Sequence, residues 1–148
     1  MEYALQAWSL RLQKNIELLQ RVYHRATKLV KGLRNKPYEV RIEGLNLFDL
    51  HRRSIRSDLI LMYSILRSPN HPLKSLFKPG SDRTSRRHRF TVEIPATRVN
   101  CRRYFYSVRV SFMWNRLPES VVDCPNIATH KAALDNHLRS NKIMQWPY

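Results

Sequence analysis

Carboxylates are scarce in this chain. Its 148 residues hold 11 Asp and Glu against 27 Lys and Arg, for a net charge of +16. Arg and Lys occur along the whole length, so the basic excess is not a detachable tail. Two-metal phosphoryl transfer needs carboxylates converging on both ions, and the few present are dispersed, with no adjacent Asp-Asp. Cysteine is scarcer still, with only Cys101 and Cys124. Two are too few for a disulfide framework and fit a reducing, intracellular home, nuclear or cytoplasmic. No apolar run approaches the ~20 residues that span a bilayer, so no membrane partner is expected. No basic stretch followed by an apolar run opens the chain, so no signal peptide is evident. No internal repeat stands out.

What is present is enough apolar material for a core. The chain is 43% hydrophobic, which excludes a disordered basic tail. The length suits one domain or two small subdomains. A compact state with this much positive charge repels itself unless a polyanion neutralises it. Nucleic acid is the expected polyanion, since binding releases its condensed counterions. An anionic membrane surface is the weaker alternative.

The spacing of apolar residues predicts a mainly α fold. Leu12, Ile16, Leu19, Tyr23, Ala26 and Val30 recur at steps of three and four, one face of a helix. Lys14, Arg21, Arg25 and Lys28 fall on the opposite face, and Gly32 is a stop signal. Asn35-Lys36-Pro37 reads as a turn into a short second helix with Tyr38, Ile42 and Leu45 inward. There Glu39 and Glu43 repel at i,i+4 and read as a solvated face beside Arg41 and Lys36. A third helix is predicted from about Leu47 to Arg67 on Ile55, Leu59, Met62, Tyr63 and Leu66. Pro69, Pro72, Pro79 and Gly80 then forbid a continuous helix. Residues 81–89, SDRTSRRHR, contain no apolar residue and read as an exposed loop. Phe90 to Ile94 alternates as a short strand or extended arm would, and Pro95 ends it.

Residues 102–118, RRYFYSVRVSFMWNRLP, carry two signals at once. Tyr104, Tyr106, Val108, Val110, Phe112 and Trp114 alternate like a strand. Tyr106, Val110, Met113, Trp114 and Leu117 step like a helix. Periodicity alone does not decide. No hairpin turn precedes the stretch to supply a paired strand, so a helix over about Tyr106–Arg116 is expected. Asn126 can cap a last helix on Ile127, His130, Leu134 and Leu138.

The basic residues are the strongest lead to function. Arg21, Arg25 and Lys28 recur on one side of the first helix, although an amphipathic helix has a charged wet face in any case. Arg52, Arg53 and Arg56 offer forked donors to phosphates. In the loop, Arg83, Arg86, Arg87, His88 and Arg89 form a phosphate-binding arm with no packing role, and a nuclear-import signal is the second reading of the same residues. Arg102, Arg103 and Arg109 are expected to face nucleic acid, and Tyr104 or Phe105 to stack on a base. Val110, Met113, Trp114 and Leu117 are expected in the core. Cys101, Cys124, His130 and His137 lack the close pairing of a zinc site. No metal site, catalytic residue or cofactor is expected.

Two stretches resemble a known family. LLQRVYHRATKLVKGLRNKPYEVRIEGLNLFDLHRRSIRSDLILMYSIL (18–66) is similar to the segment after the polymerase core in reverse transcriptases of non-LTR (LINE-type) retrotransposons. RRYFYSVRVSFMWNRLPESVVDCPNIATHKAALDNHL (102–138) is similar to the extreme C-terminus of the same proteins, with the jockey-like and chicken-repeat-like branches nearest. YALQAWSL (3–10) resembles the junction between polymerase and thumb. The order of the blocks carries the likeness, and 68–100 is the least matched part. The resemblance implies a three-helix thumb-like unit over 1–67, a basic linker over 68–100 and a two-helix unit over 101–148. It implies binding of an RNA/DNA or DNA duplex through phosphates. The parent RNA-directed DNA polymerase would use Mg2+, but its Tyr-x-Asp-Asp motif is absent here, so this chain is expected not to be an enzyme on its own. His130 stands where the family usually has Phe. The likeness points to the tail of a transposable element, as a truncated copy, a gene-model fragment or a domesticated remnant. The apolar face of such a thumb would meet the missing polymerase palm or a second copy of the chain. A small basic RNA-binding or ribosome-associated protein is the alternative, and a remnant without function is the third.

Overall fold

The computed structural model describes residues 13–80 and 88–140. The segment 3–10, Leu12 and the loop residues Arg83, Arg86 and Arg87 lie outside the described residues. The chain is mainly helical, as its apolar spacing predicts. Seven α-helices appear among the described residues: α1 (Gln13–Lys28), α2 (Tyr38–Gly44), α3 (Leu50–Arg67), α4 (Asn100–Arg103), α5 (Tyr106–Trp114), α6 (Glu119–Val122) and α7 (Ile127–Ser140). Two compact units, Met1–Ser54 and Ile55–Tyr148, divide the chain.

The first unit holds α1, α2 and the first turn of α3. Tyr23 and Thr27 of α1 are buried, while Ile16 and Leu19 are half-buried. Gly32 has φ 84 in the turn after α1, a left-handed conformation that glycine adopts without steric cost. Pro37 stands at the N-cap of α2, where its missing N–H would be unpaired anyway. Asn46, at φ 53, closes the other end. Leu47 N–H donates to the Ile42 carbonyl at 2.8 Å and Asn46 N–H to the Glu43 carbonyl at 2.9 Å. Those paired bonds satisfy carbonyls that a helix end leaves open. Tyr38, Ile42 and Leu45, expected inward, are half-buried. The buried residue of α2 is Arg41, expected on a solvated face and only 3% exposed. Its Nε donates to Thr27 Oγ1 at 3.1 Å, and a second guanidinium N–H donates to the Lys36 carbonyl. A buried cation is tolerable only with such acceptors.

The second unit is built on α3 and α5. Ile55, Leu59, Met62 and Ile65 of α3 are fully buried. The division therefore falls inside α3 rather than at the expected 67, because from Ile55 onward this helix packs with the C-terminal region. The Tyr106 hydroxyl, for example, donates to the Asp58 carbonyl at 3.0 Å. In α5 every residue but Phe112 is buried. Val110, Met113, Trp114 and Leu117 lie in the core as expected. The helical period wins over the strand alternation because α5 is surrounded on nearly all sides. Between α3 and α4 the chain turns through a 3-10 turn at Lys74–Leu76. Phe90–Ile94 forms no strand, and a single antiparallel bridge joins Pro79 to Val92. At Gly80 a Cβ would lie 2.8 Å from Thr91 Oγ1, so the close approach there requires glycine. Asn115, just past α5, accepts from Val92 N–H at 3.0 Å and donates to the Val92 carbonyl at 2.7 Å. That amide takes the place of a partner strand.

Two helices are expected over 101–148, and α5 and α7 are those two. The one-turn helices α4 and α6 are additions that their short apolar pattern does not announce. Asn126 caps α7, with Oδ1 accepting from Thr129 N–H at 2.9 Å. His130, Leu134 and Leu138 are fully buried, while Ile127 is exposed. The His130 ring stacks on Tyr63 at 4.2 Å, and its Nδ1 pairs with the Val121 carbonyl at 2.8 Å. A histidine thus fills an aromatic position in the core.

Candidate nucleic-acid interface

The cations divide into those bound to the protein's own acceptors and those that are not. In the second unit four arginines are bound to carboxylates. Arg109 is the clear correction. It is expected to face nucleic acid, yet it is 6% exposed and its Nε and Nη2 reach Asp58 at 2.9 and 3.2 Å. Its third donor holds the Tyr104 carbonyl at 2.9 Å. Burial raises the Asp58 carboxyl pKa, and the two hydrogen bonds and the charge of Arg109 oppose the rise. Burial likewise raises the Tyr106 hydroxyl beside the pair. Sequence spacing cannot separate this arginine from Arg102 and Arg103, because its carboxylate partner is 51 residues away.

Arg56 is half-buried with its fork on both oxygens of Asp135. Arg89 is exposed but donates to both oxygens of Asp123 at 2.7 and 2.8 Å, and Arg67 reaches the same carboxylate at 3.1 Å. The Arg89 guanidinium holds the Asp123 carboxyl below the usual carboxylate range. His88, grouped with the loop arginines, is instead buried, its Nε2 3.0 Å from the Trp114 carbonyl. The described end of that loop is thus packed. Arg102 is exposed, Arg103 and Tyr104 are half-buried, and Phe105 is 55% exposed.

The first unit differs. Arg52 lies 3.5 Å from Asp49, and Arg53 donates to the Tyr23 hydroxyl at 3.1 Å. Arg21, Arg25 and Lys28 are exposed on α1. Sequence reasoning missed three further cations, Lys31, Arg34 and Lys36, all exposed on the turn that follows. No carboxylate occurs between Glu17 and Glu39, so residues 21–36 hold six Lys and Arg and no acid. Among the described residues, none of the six makes an ion pair. That gap in the acids was the available signal. Glu17 lines one pocket with Arg21 and Arg25, but six positive charges over 21–36 outweigh it. Such an excess raises the local potential and draws anions, and arginine forks suit phosphate oxygens. Arg25 and Lys28 also stand in the last turn of α1, where cations complement the helix dipole.

Among the described residues no group of three or more His, Cys, Asp or Glu is placed to hold a metal ion. No helix among them is long and apolar enough to cross a membrane. No family model matches the chain, and comparison with curated proteins and with solved structures finds no match.

Proposed function

We propose that this chain binds nucleic acid through phosphates, as the post-polymerase region of a non-LTR retrotransposon reverse transcriptase, and performs no polymerase chemistry itself. The observation that carries the binding is the run of six exposed cations over 21–36, none of them ion-paired among the described residues. The total charge of +16 supports it, because a phosphate polymer relieves the self-repulsion of so basic a fold. The reverse-transcriptase origin rests on the order of the two blocks, 18–66 and 102–138, together with the segment 3–10. An RNA/DNA or DNA duplex is the expected ligand, since phosphate contacts need no base sequence.

Mobility-shift titration of a duplex against salt tests the binding. Affinity should fall steeply and linearly in log–log terms, with a slope of about −0.9 per phosphate contacted. Replacing Arg21, Arg25 and Lys28 together by Gln should flatten that slope by about two to three. A chain that melts cooperatively yet ignores DNA and RNA in dilute buffer would end the proposal. The origin is tested in the DNA upstream of the codon for Met1, where an in-frame or decayed Tyr-x-Asp-Asp coding stretch is expected.

A further inference from the structure

The second unit contains an open groove of about 670 Å³, within the ~300–1,000 Å³ range of pockets that bury small ligands. Leu76, Pro95 and Val99 supply apolar lining, and Phe105 is part of its wall. Phe105 is 55% exposed, as is Val99. These side chains take no part in the core, where Phe77 and Tyr106 already meet edge to face at 6.0 Å. The backbone that carries Phe105 is nevertheless fixed. Its carbonyl accepts from Val108 and Arg109 N–H at 3.1 Å, its own N–H donates to the Arg102 carbonyl at 3.1 Å, and the buried Arg109 holds the preceding carbonyl. The fold thus displays an aromatic ring on a rigid corner facing solvent.

Charge decides what such a ring is for. Lys78 and Arg102 line the same groove, with Glu93 the one acid on its wall. Arg98, on the neighbouring segment, is exposed as well. A groove for an apolar peptide has no need of this cationic excess. An aromatic surface beside exposed cations matches an unpaired base with its phosphates, the ring stacking on the base and the cations meeting the backbone. In a duplex each base already stacks on its neighbours, so a ring fixed in this way can use a base only where the strand is single.

We infer that this groove seats an unpaired nucleotide of a single strand, with Phe105 as the stacking platform and Lys78 and Arg102 as phosphate contacts. The inference rests on the proposed nucleic-acid binding and adds to it a site for which strandedness matters.

Cys101 makes the test direct. It is exposed on the groove wall, whereas Cys124 is buried, so a maleimide should label Cys101 selectively in the folded full chain. Cys101→Ser supplies the blank. Poly(dT) should slow the labelling several-fold, and a blunt duplex should slow it far less. Phe105→Ala should weaken poly(dT) binding by between about five- and a hundredfold, the range for losing one stacked base. Duplex affinity and the melting temperature should hold, and Phe105→Trp should restore the binding. If poly(dT) and duplex both bind while Cys101 reacts at its free rate, the groove inference fails and the proposed function stands. If Phe105→Ala weakens single strand and duplex alike, the platform role is overturned. If neither nucleic acid binds, both proposals fall together.

Discussion

The two units use charge in opposite ways. In the second, four arginines are structural ties. Arg109 meets Asp58, Arg56 meets Asp135, and Arg67 and Arg89 share Asp123. These ties brace a core in which Trp114, Ile55, Leu59 and Leu134 are fully buried. In the first, only Tyr23, Thr27 and Arg41 are buried among the described residues. Six cations there make no ion pair among the described residues. Leu18 and Val22 are half exposed and Leu29 is 87% exposed. A sparse core beside exposed charge suits the nucleic-acid binding proposed above, whereas a dense core with paired charge is committed to holding itself together. A bare count of arginines cannot distinguish the two.

That contrast can be broken most forcefully at Asp58. Asp58→Ala leaves the Arg109 cation buried without its carboxylate, and such a loss costs about 3–5 kcal/mol, read as a lower urea midpoint. Arg41→Ala in the first unit removes a donor from Thr27 Oγ1 and from the Lys36 carbonyl. It should cost about 1–3 kcal/mol, and an equal or greater loss than at Asp58 would contradict the ranking of the two units. Asn126→Ala removes the cap of α7 and should cost about 1 kcal/mol, seen in the thermal melt. Smallest of all should be Arg21→Ala, Arg25→Ala and Lys28→Ala. Each should change stability by no more than about 0.5 kcal/mol while weakening nucleic-acid binding. A large stability loss there would mean the cations are structural after all.

Acid sharpens the comparison further. Burial lowers the His130 pKa, with its bond to the Val121 carbonyl working the other way. A histidine whose pKa is lower in the folded state binds more protons when unfolded, so its stability contribution is present above pH ~6.5 and is lost as pH falls through the folded value. The melting temperature should therefore drop between pH 7 and 5. His130→Phe, which keeps an aromatic against Tyr63, should shrink that drop. An unchanged pH profile in the variant would remove His130 as its source. Asp123, held below the usual carboxylate range by Arg89, adds its own loss only at lower pH.

Sequence spacing made the frame readable where a single face repeats. It marked α1, α3 and α7 to within a few residues, and it placed Met113 and Trp114 inside. Even in 102–118, where two periods compete, the absence of a pairing partner pointed to helix. What stayed hidden were contacts between distant residues. Nothing local marks Arg109 as the partner of Asp58, or Arg41 as the partner of Thr27, since both look like ordinary charges on a wet helix face. One-turn helices such as α4 and α6 are too short to show a period. The cationic turn was legible in principle, through the missing acids between Glu17 and Glu39, but Lys31, Arg34 and Lys36 lie beyond the periodic face that ends at Val30.

Asn115 fixes a demand on chemistry rather than on size. Its amide oxygen accepts from the Val92 N–H while its NH2 donates to the Val92 carbonyl. Aspartate has nearly the same shape but, ionised, cannot donate, and it would set its negative oxygen against the Val92 carbonyl. Leucine could answer neither backbone group. Loss of that one amide would therefore loosen the segment at Val92 with almost no change in bulk.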